Sequence, residues 1–213
     1  MIENLFATPV WYTKLNLPEE IRADLLMQVE KNYQTHKDYV HPEWPCVIHT
    51  SHQGSGGDCD DEINNLNYQE FLPYIHREYG KYSKQIELPA HDYQIQECWY
   101  NYYTRGSNQE NHTHLAHREG PFKSIFSGIY FLKMKPGDSQ VQFPNENGFR
   151  YASYASNYYD MYRYMECMRE YAAYGEEDYI LLFPSFSQHR VTTQKTDGPR
   201  ITLSFNFNLE KIC

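Results

Sequence analysis

The chain has 213 residues, with 28 Asp and Glu against 19 Lys and Arg, which gives a formal net charge of -9 at pH 7. The length fits one domain, and the negative charge argues against a protein that binds a nucleic-acid duplex. No basic region followed by an apolar leader is visible, and no run approaches 18 apolar residues. The sequence therefore predicts a soluble, cytoplasmic protein without a membrane segment.

Cysteine and tyrosine usage add two expectations. The five cysteines are widely and irregularly spaced, with no CxxC pair to indicate a structural zinc site. We therefore expect free thiols. Tyrosine occurs 21 times, and its ring packs well on half-buried sheet faces while the hydroxyl stays in water. This bias favours β-structure.

Two helices are predicted in residues 1–90, which we expect to support the core. The first runs from Leu17 to about Tyr33, and the second runs from about Tyr68 to Ile86. Apolar residues recur at helical spacing in both, at Ile21, Leu25, Leu26 and Val29, and then at Phe71, Ile75, Tyr79 and Tyr82. Residues 41–65, which lie between the helices, are rich in Gly, Pro, Asp and Asn and predict a surface loop.

From residue 91 onwards the apolar pattern has a period of two, which predicts a mainly β core over residues 91–213. The predicted strands are 93–103, 127–134, 179–185, 189–194 and 201–209. Residues 144–175 interrupt this pattern with eight tyrosines and three methionines, and they suggest a helix from about Tyr158 to Tyr171. This Tyr-rich insert is interpreted either as a substrate lid or as an aromatic patch that packs on the barrel or on another subunit of a homo-oligomer.

An H-x-H pair, His112 and His114, would project both imidazoles to one face of an extended strand. A third imidazole, from His189 on a distant strand, would complete a facial set on Fe(II) and leave positions open for a cosubstrate and O₂. The chain has ten histidines, so an isolated pair is weak support for a metal site. Surface or hydrogen-bonded histidines are the alternative.

Arg200 strengthens the hypothesis, because it leads the segment ITLSFNF, whose alternation commits one face to the core. A guanidinium on the inward face would need an anion, and it can bind a carboxylate through two parallel hydrogen bonds. Thr202, Ser204 and Asn206 follow at a period of two and are predicted to line the same cavity. The pattern indicates a metal ion together with a dicarboxylate.

Three segments carry a family resemblance: WYNYYTRGSNQENHTHLAH, SGIYFLK and FPSFSQHRVTTQKTDGPRITLSFNF. Over about residues 95–208 the chain resembles the 2-oxoglutarate- and Fe(II)-dependent oxygenase superfamily, in a branch with H-x-H, F-P-S-x-x-x-H-x-V and R-x-S-x-S-F-N motifs. The resemblance implies a double-stranded β-helix, a jelly-roll or cupin-like fold. It also implies that His112 and His189 bind Fe(II), and that Arg200 and Thr202 bind the C5 carboxylate of 2-oxoglutarate.

One position departs from the superfamily, most of which has H-x-D or H-x-E where this chain has His114. We take His114 as the remaining metal ligand because it stands at the matching position. Glu110, His117 and Glu119 are the alternatives. A histidine ligand leaves the iron centre with one more positive charge than a carboxylate does, which changes Fe(II) affinity and reactivity.

Four further residues are candidates for contact with the cosubstrate. Asn101 and Tyr103 lie one strand before the H-x-H pair, and Ser127 and Tyr130 belong to the segment SGIYF. Each is equally compatible with a packed position in the sheet.

The resemblance implies a non-haem dioxygenase that uses Fe(II), 2-oxoglutarate and O₂ to hydroxylate a C–H bond, with succinate and CO₂ as coproducts. Two alternatives stay open. One is a non-catalytic cupin-like module that binds metal or a protein partner, and the other is a three-histidine dioxygenase that does not use 2-oxoglutarate. The sequence does not separate a small-molecule substrate from a peptidyl side chain.

Overall fold

Two antiparallel sheets and two helices are formed by the residues that this computed structural model describes, 7–39, 46–52, 63–115, 122–145 and 171–210. The helices are α1 (Glu19–His36) and α2 (Leu72–Gln85). The strands are β1 (Trp11–Lys14), β2 (His49–Thr50), β3 (Tyr93–Tyr103), β4 (Gln109–His112), β5 (Phe122–Lys133), β6 (Val141–Pro144), β7 (Tyr171–Tyr174), β8 (Tyr179–Pro184), β9 (His189–Val191) and β10 (Arg200–Glu210).

The larger sheet has the strand order β1-β8-β5-β10-β3-β2, and the smaller sheet has the order β4-β9-β6-β7. Strand β10 is central in the larger sheet, since it pairs with β5 on one side and with β3 on the other. Two antiparallel sheets with many non-sequential neighbours are typical of a jelly roll. The architecture agrees with the mainly β fold predicted from the sequence.

The core is divided between the two faces of the larger sheet. On one face, α1 and α2 pack Val29, Ile75 and Tyr79 against apolar residues of β10 such as Phe205 and Phe207. A second apolar cluster joins the two sheets and includes residues of β5, β6, β8 and β9. Because side chains alternate along a strand, the polar residues of β10 lie on the face opposite to the helices.

The bounds of several elements differ from the predicted ones, because a short segment carries too little of an apolar pattern to define an element. Helix α1 extends to His36, and α2 begins at Leu72, with a proline in its first turn, where the missing N–H costs nothing. Strands β1, β2, β6 and β7 have two to four residues, too few to show a period, and β2 lies within the predicted loop. Tyr171 begins β7, and the rest of the predicted helix in the insert lies outside the described residues.

Two smaller predictions concern the cysteines and membrane-spanning helices. Cys46 and Cys98 are free thiols, as expected, and the other three cysteines lie outside the described residues. Among the described residues, the helices are too short or too polar to pass through a lipid bilayer.

Gly128 on β5 is required by packing, and we expect its replacement by alanine to destabilise the fold. A Cβ atom there would lie 2.1 Å from Phe205 Cε2 and 2.8 Å from Leu182 Cδ2, far closer than van der Waals contact. Such overpacking costs about 1–3 kcal/mol, which urea denaturation would measure. The matched control is Gly80→Ala in α2, where the added Cβ meets nothing within 4 Å. That helical substitution should raise stability by about 1 kcal/mol, and equal effects of the two variants would contradict this account.

Candidate metal centre

Three imidazoles converge where β4 and β9 meet. His112 is the last residue of β4 and pairs in register with His189 on β9. His114 lies two residues beyond the end of β4, and its backbone N–H donates to the Ser185 carbonyl at 2.9 Å. One nitrogen from each of the three rings lies within 4.8 Å of the others. The H-x-H pair is therefore not wholly on a strand, but its rings converge as the sequence predicts.

The ring contacts leave the same nitrogen of each histidine available to a metal. His112 Nδ1 donates to the Glu110 carbonyl at 2.8 Å, and His189 Nδ1 donates to the Ser187 carbonyl at 3.0 Å. These bonds place the proton on Nδ1 and the lone pair on Nε2. The Nε2 atoms of His112 and His114 are 3.3 Å apart. Two nitrogens bound to adjacent positions of one metal ion, each at about 2.1 Å, lie about 3 Å apart, so the site fits a cation.

Burial keeps the three imidazoles neutral, which is the form that binds metal. Burial, followed by the proximity of His112, lowers the pKa of His189 to about 3. Burial and then the neighbouring imidazoles hold the pKa of His114 well below its ordinary value of 6.5. Burial also lowers the pKa of His112. The site is thus set to bind a cation at neutral pH without first losing protons.

These pKa values predict that the metal-free protein loses stability on acidification below about pH 6.5. Between the ordinary pKa of 6.5 and the folded value of about 3 for His189, the unfolded chain binds a proton that the folded chain does not. The free energy of unfolding therefore falls as pH falls, by up to about 1.4 kcal/mol per pH unit for each histidine. Urea denaturation at pH 7.5 and 5.5 would measure this. The His189→Leu variant should show a shallower dependence, and an unchanged slope would refute the explanation.

Arg200 begins β10 and is completely buried, as the sequence predicts. Its guanidinium carbon lies 4.4 Å from the centre of the Tyr103 ring and 5.6 Å from that of Phe131. None of its three side-chain nitrogens has a hydrogen-bond partner among the described residues. Burial lowers the pKa of Arg200, although the nearby Tyr103 hydroxyl opposes that shift. A buried cation without a hydrogen-bonded partner is costly, so this residue fits an anionic ligand.

A single cavity joins Arg200 to the three histidines. Its volume, including its mouth, is about 270 Å³. The predicted cosubstrate residues Asn101, Tyr103 and Thr202 all line it, as does Ser204. The structure therefore brings the metal candidates and the anion-binding candidate into one cavity, while the roles of these residues remain predictions.

Tyr130 is placed elsewhere, so its prediction as a cosubstrate residue is corrected. Its register partner on β10 is Leu203, which faces the helices, whereas the cavity-lining Ser204 pairs with Ile129. Tyr130 packs against Phe71 and donates its hydroxyl to Asp178 at 3.0 Å. It belongs to the core beneath the helices.

Glu110, His117 and Glu119 are the alternatives to His114 as a metal ligand. Among the described residues, the cluster that could hold a metal contains only the three histidines. Glu110 is exposed, and it contributes its backbone carbonyl to His112 instead of a carboxylate to the cluster. His117 and Glu119 lie outside the described residues.

Asn206 and Ser127 connect His114 to the larger sheet. His114 Nδ1 lies 3.1 Å from Asn206 Oδ1, which also accepts from the Ser127 hydroxyl at 2.8 Å. Asn206 Nδ2 donates to Glu97 Oε2 at 3.1 Å. Glu97 is not among the residues predicted from the sequence, although it lies three two-residue steps before Tyr103 on the same face of β3.

The family model described as "Putative 2OG-Fe(II) oxygenase" matches residues 97–206, slightly more than half of the chain. The chain belongs to the 2OG-Fe(II) oxygenase family. This confirms the resemblance, and the family assignment implies Fe(II) and 2-oxoglutarate, together with O₂ as oxidant, as predicted. The search of curated proteins found no matching relative.

Solved structures of oxygenases share this fold. A viral collagen prolyl hydroxylase of Paramecium Bursaria Chlorella virus-1 is 8% identical with a TM-score of 0.54, over 93% of this chain and 95% of that one. A Pseudomonas putida prolyl-4-hydroxylase is 12% identical with a TM-score of 0.53, over 97% and 94%. HygX from Streptomyces hygroscopicus, solved with nickel, 2-oxoglutarate and hygromycin B, is 11% identical with a TM-score of 0.53, over 94% and 82%. The predicted β-helix fold is thereby confirmed.

Proposed function

We propose that this oxygenase is a hydroxylase in which His112, His114 and His189 hold Fe(II) and Arg200 anchors 2-oxoglutarate. One observation carries the proposal: a completely buried guanidinium without a hydrogen-bond partner among the described residues lines the same cavity as three converging imidazoles. A metal site alone does not require a buried guanidinium in its cavity. A dicarboxylate that reaches from the metal to Arg200 accounts for both features.

The anion-binding end is formed by residues from neighbouring strands. Arg200 would donate two parallel hydrogen bonds to the C5 carboxylate, and Thr202, two residues further on the same face, would add a hydroxyl. Tyr103 supports the guanidinium with its ring and donates its own hydroxyl to Gln109 at 3.2 Å. The bound Fe(II) supplies the chemistry that couples decarboxylation of 2-oxoglutarate by O₂ to hydroxylation of a C–H bond.

Two polar groups nearer the histidines are suited to the rest of the cosubstrate. The indole Nε1 of Trp99 is buried, lines the cavity and has no partner among the described residues. Asn101 Nδ2 lies 3.1 Å from the Ser204 hydroxyl, which can donate as well as accept. With its amide turned over, Asn101 would accept from Ser204, and its NH₂ group would take the place of the buried Oδ1, which has no partner among the described residues. That orientation suits a dicarboxylate, which offers only acceptors.

The primary substrate reaches the metal from the mouth of this cavity. The volume of about 270 Å³ includes the open mouth, so little enclosed space is left beside a bound cosubstrate. We therefore propose a substrate that inserts one reacting group, either a peptidyl side chain or part of a small molecule.

The three-histidine set is the observation that favours the alternative of a dioxygenase without 2-oxoglutarate. Arg200 opposes it, because that reaction leaves the buried guanidinium without an anion. The two functions differ in their use of 2-oxoglutarate, because only the proposed hydroxylase consumes it.

The proposal is tested by adding Fe(II) and 2-oxoglutarate to the full chain without oxygen. We expect one equivalent of each to bind and a metal-to-ligand absorption band to appear in the visible range. Absence of both the band and measurable 2-oxoglutarate binding would overturn the proposal. Oxygen consumption that needs no 2-oxoglutarate would instead support the three-histidine alternative. Tight Zn²⁺ binding without either property would support the non-catalytic module.

A further inference from the structure

His114 differs from the other two histidines in what holds its Nδ1. His112 and His189 each donate to a backbone carbonyl, which can only accept, so their tautomers are fixed by the chain itself. His114 faces the side-chain amide of Asn206. An amide presents either an oxygen or an NH₂ group, and only the oxygen places the His114 proton on Nδ1 and leaves Nε2 for a metal.

The orientation of the Asn206 amide is decided by Glu97. A carboxylate only accepts hydrogen bonds, so Asn206 must direct Nδ2 towards Glu97 Oε2, 3.1 Å away. Its Oδ1 then faces His114 Nδ1 at 3.1 Å. Ser127 also contacts Oδ1, at 2.8 Å, but a hydroxyl can donate or accept and therefore does not select the orientation.

Strand pairing holds these residues side by side. Asn206 pairs with Glu97 on β3 and with Ser127 on β5, so the three lie in one row across the larger sheet. Ser127 is completely buried, Asn206 is 5% exposed, and Glu97 is half-buried. The row is thus part of the folded sheet and requires no movement to reach His114.

We propose that Glu97 is a positioning residue that acts through Asn206 to fix the tautomer and orientation of His114. Through Asn206, this carboxylate is connected to the one ligand position where most of the superfamily has a carboxylate. This inference rests on the proposed function, because it assigns His114 as a metal ligand. Outer-shell partners of this kind commonly change metal affinity by about 10–100-fold.

The first test uses Glu97→Gln, which preserves size but offers an NH₂ group as well as an oxygen. The Asn206 amide is then free to turn over, so we expect ¹⁵N NMR of the metal-free protein to show a mixture of His114 tautomers. The wild-type protein should show the Nδ1–H form. The matched control is Glu176→Gln, an exposed glutamate, which should leave the His114 signals unchanged. A single Nδ1–H tautomer in Glu97→Gln would overturn the inference.

The second test measures Fe(II) affinity in an anaerobic titration. Glu97→Gln should weaken binding by about 10-fold or more, whereas Glu176→Gln should have no effect. Because Glu97 acts through Asn206, Glu97→Gln should have little further effect in an Asn206→Ala background. Equal losses in both backgrounds would show that the charge acts without Asn206 and would overturn the proposed route.

The two proposals fail in different ways. A wild-type protein that binds no Fe(II) contradicts the proposed function, while the NMR test of the metal-free protein still decides whether Glu97 fixes the His114 tautomer. A wild-type protein that binds Fe(II) and 2-oxoglutarate, with an unaffected Glu97→Gln variant, contradicts only the further inference.

Discussion

Arg200→Met should abolish 2-oxoglutarate binding and, at the same time, stabilise the cosubstrate-free protein. Two charge-assisted hydrogen bonds contribute about 1.5–3 kcal/mol each, so their loss weakens 2-oxoglutarate by at least about 100-fold. In the free protein, the buried guanidinium has no hydrogen-bond partner among the described residues. Exchanging even a buried ion pair for apolar side chains of similar volume often gains about 1–4 kcal/mol, and an unpaired guanidinium has no Coulombic attraction to lose.

Calorimetric titration with 2-oxoglutarate and urea denaturation would measure the two effects. Arg105→Met is the matched control, because the Arg105 side chain is 61% exposed and forms an ion pair with Asp197, which is 85% exposed. This surface substitution should leave 2-oxoglutarate affinity unchanged and alter stability by less than about 1 kcal/mol. Retained 2-oxoglutarate affinity in Arg200→Met would remove the residue from the cosubstrate site.

His189→Leu should reduce Fe(II) affinity by more than about 100-fold, which exceeds the usual effect of an outer-shell change. His189 is 1% exposed and provides one of three candidate ligand nitrogens, so its loss leaves two ligands that are two positions apart in one segment. Leucine fills most of the volume and cannot bind the cation. Metal analysis after anaerobic loading and desalting would measure the retained iron.

His76→Leu provides the control for this measurement. His76 is an exposed histidine of α2 whose Nδ1 contacts the Tyr93 hydroxyl at 2.8 Å, and it lies outside the candidate metal cluster. It should retain the iron stoichiometry of the wild-type protein. Full iron retention in His189→Leu would show that other residues hold the metal.

The long elements of this fold were predictable because each carries several periods of an apolar pattern. Strand β3 agrees with the predicted 93–103, and the central strand β10 covers the predicted 201–209. Strands such as β2, with two residues, have no pattern of their own and exist because β3 offers them backbone partners. Their pairing is a tertiary effect that a local sequence window does not contain.

The site residues could be predicted where their chemistry is distinctive. The prediction failed where the direction of a side chain depends on the register of its strand. The histidines and Arg200 are conspicuous because burial of such groups requires a ligand. Tyr130 was misassigned because apolar residues flank it on both sides, so the sequence of β5 does not reveal which face is the cavity. Glu97 was missed because its importance arises from pairing with Asn206, 109 positions away.

Strand β10 carries Arg200 at one end and, six positions later, Asn206 beside a candidate iron ligand. Hydrogen bonds to β3 and β5 clamp it on both edges, so neither end can slide along its neighbours. In the proposed function, strand β10 therefore fixes Arg200 relative to Asn206, the residue that contacts His114. On this proposal we expect an oxoacid one carbon shorter than 2-oxoglutarate to bind more weakly, because a strand paired on both edges does not shift to shorten the distance.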